Sequence, residues 1–175
     1  MKKNLFRVLS LAMAFLCLST VHAQETKAVS IIPQPQKLEA KGGEYLLPEK
    51  VVIGYDASFK AQAEYLQEML ARSTGRVAVL KEGKTKGSIV LQKDTVAVPV
   101  AEAYTLSVTP KCARIVASDA NGAFYGIQSL LQLFPAEIYS ASWQRSTEWK
   151  APCVEIYDAP ERPWRGLMMD VARYF

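Results

Sequence analysis

The chain reads as an α+β domain, a mostly antiparallel sheet with two helices on one face. Three observations predict this. Segments 57–73 and 119–134 carry apolar residues at helical spacing. Between them, Tyr104, Leu106 and Val108 alternate with Thr105 and Ser107, as a half-buried strand does. The elements run as strands, helix, strands, hairpin, helix and strand, rather than in strict β/α alternation.

The N-terminus reads as a signal peptide over residues 1–23. Lys2, Lys3 and Arg7 precede the apolar run from Val8 to Leu18, and Val21-His22-Ala23 fits a small-x-Ala cleavage site. The run is shorter than the roughly 20 apolar residues of a membrane span. Leu16 before Cys17 argues against lipoprotein anchoring. The mature chain is therefore expected to be exported, to the periplasm or outside the cell, with no membrane span.

Cleavage removes three positive charges from a chain of net charge +4, leaving about +1. That balance gives no footprint for nucleic acid. It also removes His22, the one histidine. A chain without histidine runs neither Ser-His-Asp nor Cys-His chemistry and builds no His-ligated zinc site. No metal or cofactor is expected. Cys112 and Cys153 remain; a disulfide is open to an exported protein, but two buried free thiols are the preferred reading.

In chain order, Ile31-Ile32-Pro33-Gln34-Pro35 is extended, because each proline disfavours helix in the residue before it. Gly42-Gly43 predicts a turn, and Tyr45–Leu47 and Val51–Tyr55 predict short strands. The first helix, Ala57–Ser73, places Phe59, Ala63, Leu66 and Leu70 on one face, with Asp56 or Ser58 as cap and Gly75 as stop. Arg76–Leu80 and Ser88–Gln92 read as strands of a solvated hairpin. Its turn holds Gly83-Lys84-Thr85, which lacks the phosphate-loop glycine five residues earlier, where Ala78 stands.

Ala103–Val108 and Cys112–Ser118 make the clearest hairpin, turning at Thr109-Pro110-Lys111, with Arg114 as an edge or sheet-face charge rather than a site. Asp119 caps the second helix, whose stripe is Phe124, Ile127, Leu130, Leu131 and Phe134; Pro135 ends it. Gly122 and Gly126 allow a close approach to the sheet. Trp143 and Trp149 in the looser segment 136–150 offer either sugar-stacking platforms or core packing. Val154–Tyr157 is the last strand of the domain, which spans residues 24–158.

Four stretches then carry a resemblance: Ile32-Pro33-Gln34-Pro35; the hairpin from Tyr104; Asp119–Gly122 running on to Tyr125-Gly126-Ile127-Gln128-Ser129-Leu130-Leu131-Gln132-Leu133; and Pro163-Trp164-Arg165-Gly166-Leu167-Met168-Met169-Asp170-Val171-Ala172-Arg173-Tyr174-Phe175. Together they resemble the N-terminal portion of family 20 glycoside hydrolases, the exo-acting β-N-acetylhexosaminidases. The resemblance implies an α+β accessory domain followed by a (β/α)₈ barrel, with residues 159–175 as the start of a truncated barrel and Arg165–Phe175 as its first strand. It implies a retaining, substrate-assisted reaction on glycans with terminal N-acetylhexosamine. An adjacent Asp-Glu pair on a later strand does the acid chemistry. The 175 residues contain no such pair, so no catalytic residue is expected in this chain, and by itself it is expected to be inactive.

One family site residue maps onto the chain. Arg165 corresponds to the arginine that binds hydroxyls of the terminal sugar, with Asp170 and Arg173 as supports. The competing role for Arg165 is an ion pair with Glu161 or Asp158 at the domain junction. Two other readings compete with the enzyme: a non-catalytic carbohydrate-binding or interaction module built on Trp143 and Trp149, and a related barrel glycosidase of different specificity.

Overall fold

The computed structural model describes residues 29–83 and 86–169. The leader with its cleavage site, Lys84, Thr85, Asp170 and Arg173 lie outside the described residues.

Seven strands form one mixed sheet: β1 (Lys37–Leu46), β2 (Val52–Tyr55), β3 (Val79–Glu82), β4 (Ile89–Lys93), β5 (Tyr104–Thr109), β6 (Cys112–Ala117) and β7 (Lys150–Asp158), in the order β1-β7-β5-β6-β4-β2-β3. Helices α1 (Lys60–Thr74) and α2 (Ala120–Leu133) pack on the sheet. The α+β class with two helices therefore holds. The longer strands β1, β7, β5 and β6 pair antiparallel. β6–β4, β4–β2 and β2–β3 pair parallel, so one end of the sheet departs from the antiparallel expectation.

That parallel end corrects two readings. β3 and β4 form no hairpin; both lie parallel to β2, which inserts between them. The unit β2-α1-β3 is a crossover, and such a unit needs its helix between the paired strands. Gly42-Gly43 forms no chain reversal. β1 continues through it, and its register against β7 shifts between Ala40 and Glu44. Gly43, at φ 99°, absorbs the extra residues in a conformation that glycine adopts readily.

The core lies between the sheet and the helices. Ile53, Ile89, Leu91, Leu106, Ile115, Val154 and Ile156 point to the helices and are buried. They meet Phe59, Ala63, Leu66 and Leu70 of the first helical stripe and Ile127, Leu130 and Leu131 of the second. Each large aliphatic side chain fully buried here contributes about 1.5–3 kcal/mol. The opposite face carries polar pairs beside the buried Val90 and Cys153: Ser107 donates to Glu155 at 2.6 Å and Arg114 to Gln92 at 2.9 Å.

The helix ends follow the sequence. Asp56 accepts from the Ser58 N–H at 3.0 Å and caps a 3₁₀ turn, Ala57–Phe59, that leads into α1. Gly75 ends α1 at φ 69°. Asp119 caps α2 through the Gly122 N–H at 2.9 Å. A Cβ on Gly122 would stand 2.4 Å from the Ala103 carbonyl oxygen, and one on Gly126 2.6 Å from Ile115 Cγ2. The glycine pair thus seats α2 on β5 and β6. Cys112 and Cys153 are both free thiols, and burial pushes each thiol pKa upward.

Candidate functional site

The exit from β7 folds back towards α2 and, with the proline segment, closes a cleft of about 960 Å³. Its walls come from four separate parts of the chain: Ile31–Gln36, Glu102 with Tyr104, the outer face of α2, and Asp158–Glu161 with Arg165.

Polar side chains fix these walls to one another. Gln132 on α2 accepts from the Ile32 N–H and donates to its carbonyl, both at 2.9 Å. Gln36 donates its N–H to Asp158 at 3.2 Å and its side-chain amide to the Ala159 carbonyl at 2.8 Å. One turn below Gln132, Gln128 donates to the Tyr65 hydroxyl at 3.0 Å. The Tyr65 and Phe124 rings pack 5.3 Å apart. Phe124 belongs to the sequence stripe of α2, yet it lines the cleft and is part exposed. Tyr104 closes the floor, its hydroxyl 2.6 Å from that of Ser129. Burial pushes the Tyr104 pKa up to about 12, the Ser129 hydroxyl opposing the shift, so the phenol stays neutral.

Arg165 lies at the rim. Its guanidinium pairs with Glu102, lies 5.8 Å from the centre of the Tyr125 ring, and reaches the Tyr125 hydroxyl at 3.4 Å. The junction partner is thus Glu102, not Glu161 or Asp158. An ion-pair reading limited to nearby sequence could not find an acid 63 residues away.

Glu102 is itself unusual. It is the one non-glycine residue at positive φ among the described residues, at 59°. A side chain there costs of order 1 kcal/mol unless surrounding contacts hold it. Asp119 supplies one: its second carboxylate oxygen accepts the Glu102 N–H at 2.7 Å. Burial alone would raise the Asp119 pKa. The N–H groups of Gly122, Glu102 and Asn121 and the Ser118 hydroxyl outweigh it and hold the carboxyl below its usual range.

Other candidate residues fall elsewhere. Trp149 is buried in the core at 2 % exposure and offers no sugar platform. Trp143 is exposed, but Arg145 stacks 4.5 Å over its ring and its edge abuts Gly75. Gly83 is a left-handed turn residue at φ 66°. Residues 165–169, where the resemblance begins a barrel strand, pair with none of the seven strands; the rest of that strand lies outside the described residues. Leu167, Met168 and Met169 are exposed. A strand forms only where another strand completes its ladder.

The cleft brings all four stretches that carry the resemblance to one place: the proline segment, Tyr104 at the head of the hairpin, the glutamine-bearing face of α2 and the Arg165 segment. The fold and the cleft together define an α+β domain with a polar-walled cleft where the chain leaves its last strand. Residues 28–159 match the family described as Glycosyl hydrolase family 20, domain 2, and the chain belongs to family 20 of the glycoside hydrolases. A β-hexosaminidase of Porphyromonas gingivalis is 33% identical over 152 residues, covering 85% of this chain and 19% of that protein. The family 20 β-N-acetylhexosaminidase of Streptomyces coelicolor A3(2) superposes with a TM-score of 0.72 at 33% identity, over 83% of this chain and 29% of that one. The Streptomyces plicatus N-acetyl-β-hexosaminidase, solved with Thio-NAglucal, gives 0.70 at 30% identity, over 77% of this chain and 27% of that one. The chain thus spans about a fifth of the P. gingivalis relative's length.

Glu102, Tyr125, Gln128 and Gln132 enter the site from the structure. The glutamines left a trace in the sequence: an i, i+4 polar pair within the apolar pattern of α2. Glu102 left none, because a lone glutamate in a loop does not reveal left-handed backbone.

Proposed function

We propose that residues 24–158 are the accessory domain of an exported exo-β-N-acetylhexosaminidase and that residues 159–175 lead into its catalytic barrel. The substrate class is glycans ending in N-acetylhexosamine, cleaved with retention by attack of the substrate's own acetamido oxygen. The Asp-Glu pair that orients the acetamido group and protonates the leaving oxygen belongs to the barrel; these 175 residues contain no adjacent Asp and Glu. Arg165 is the sugar ligand from this chain, with Asp170 and Arg173 as its supports. A guanidinium presents five donors in a fixed fork, suited to neighbouring hydroxyls. The leader with Lys2, Lys3, Arg7 and the Val21-His22-Ala23 site supports export.

The observation that carries this reading is the family match over residues 28–159, joined to the convergence of the proline segment, α2 and Arg165 on one cleft. The test is hydrolysis by the protein read through its barrel. It should cleave 4-nitrophenyl N-acetyl-β-D-glucosaminide and leave the plain β-D-glucoside intact, since the glucoside has no acetamido nucleophile. Arg165→Ala should raise KM. Equal turnover of the two substrates would refute the substrate-assisted assignment.

A further inference from the structure

We propose that the outer face of α2 is a docking surface, and that its occupant is the catalytic barrel following this domain in the same polypeptide. The choice of occupant rests on the reading of residues 24–158 as an accessory domain. The two helices differ in a way that core packing does not explain. α1 carries Lys60, Glu64, Glu68 and Arg72 at i, i+4 spacing, and all four are exposed. That is the charged outer side of a helix facing water. α2 contains no Asp, Glu, Lys or Arg in its 14 residues. Its outward positions are Asn121, Phe124, Tyr125, Gln128 and Gln132.

The exposed Phe124 ring lies 5.3 Å from that of Tyr65 and 6.2 Å from that of Tyr125. Aromatic side chains without charge are the composition of an interface core rather than of free surface. The polar groups on this face are already paired. Gln132 spends both ends of its amide on the Ile32 backbone, and Gln128 donates to Tyr65. Polar groups satisfied in this way can be covered without a desolvation penalty for an unmade hydrogen bond. The path of the chain selects the occupant. After β7, residues 159–161 and Arg165 line the same cleft as Phe124 and Tyr125, with the Arg165 guanidinium 5.8 Å from the Tyr125 ring centre. The next residues, Leu167, Met168 and Met169, are apolar and exposed. This chain covers 19% of the P. gingivalis relative, so a body several times the size of the domain is delivered beside the uncharged face.

The experiment compares rates of thiol alkylation by a maleimide under native conditions, in the protein carrying its barrel and in the 175-residue chain. Phe124→Cys probes the α2 face. Glu64→Cys, on the charged side of α1, is the exposed reference, and the unsubstituted protein gives the background from Cys112 and Cys153. With the barrel present, Phe124→Cys should react at least about tenfold more slowly than Glu64→Cys, because a covered thiol reacts only through local opening. In the 175-residue chain the two rates should be similar. Asn121→Cys, one turn earlier on the same face, should repeat the result should Phe124→Cys fail to fold. Equal rates in the protein carrying its barrel would overturn the proposal, and hydrolysis of 4-nitrophenyl N-acetyl-β-D-glucosaminide by the unsubstituted protein would show that the enzyme reading outlives it. Protection without hydrolysis would uphold the docking surface and overturn the enzyme reading. Protection already present in the 175-residue chain and lost on dilution would assign the face to a second copy and overturn the barrel as occupant.

Discussion

Gly122→Ala places two opposing effects at one atom. In an exposed helix, alanine in place of glycine gains at most about 1 kcal/mol in propensity, and less in the first turn. Here the new methyl would lie 2.4 Å from the Ala103 carbonyl oxygen and 3.1 Å from the carbonyl carbons of Ala103 and Glu102. These are backbone atoms, so no rotamer change relieves the clash. Either α2 lifts from β5 or the turn at Glu102 moves. Overpacking of this kind costs about 1–3 kcal/mol. The net expectation is a loss of about 1–2 kcal/mol, read as a lower urea midpoint at an unchanged slope in denaturation of the 175-residue chain. A midpoint raised above wild type would show that α2 does not depend on this close approach, and would refute the account of how the helix is seated.

Three further outcomes follow from the same structure. Asp119→Ala should cost about 1–2 kcal/mol at pH 7 through the lost cap and the freed Glu102 N–H; because the Asp119 pKa is depressed on folding, its contribution is present above the unfolded value of about 3.8 and lost as pH falls through the folded one, so the gap between variant and wild type should close below about pH 4 in urea titrations. Trp149→Ala should lose about 3–5 kcal/mol as a core truncation, while Trp143→Ala stays within about 1 kcal/mol; specific binding of chitooligosaccharides abolished by Trp143→Ala in calorimetric titration would instead revive the binding-module reading. Deleting residues 159–175 should improve solubility by removing exposed Leu167, Met168 and Met169, and unchanged solubility by ultracentrifugation would contradict that.

Local chemistry in this chain was readable where one residue decides the geometry. Asp56, Asp119 and Gly75 mark helix ends because capping is a short-range hydrogen-bond problem, and both helical stripes fall on the core with Phe124 as the exception. Strand direction was not readable in the same way. The run from Arg76 to Gln92 has the polar turn of a hairpin, and only the position of β2 between β3 and β4 makes the pairing parallel. At the site, Arg165 stood out by resemblance, but its partner did not. The pairing with Glu102 depends on the return of the chain after β7, and the left-handed backbone of Glu102 depends on Asp119. Both are long-range consequences of the fold. Both thiols are free, as expected, but only Cys153 is buried; Cys112, next to the hairpin turn, is half-buried.

The central proposal is that this chain supplies the scaffold and one sugar contact of a β-N-acetylhexosaminidase and none of its acid chemistry. The most direct measurement is turnover of 4-nitrophenyl N-acetyl-β-D-glucosaminide by the purified 175-residue chain itself, across the pH range in which it stays folded. The account predicts no release of 4-nitrophenol above the uncatalysed rate. Hydrolysis that survives further purification and is lost in Arg165→Ala would contradict it, because the chemistry would then reside in residues assigned here to scaffolding.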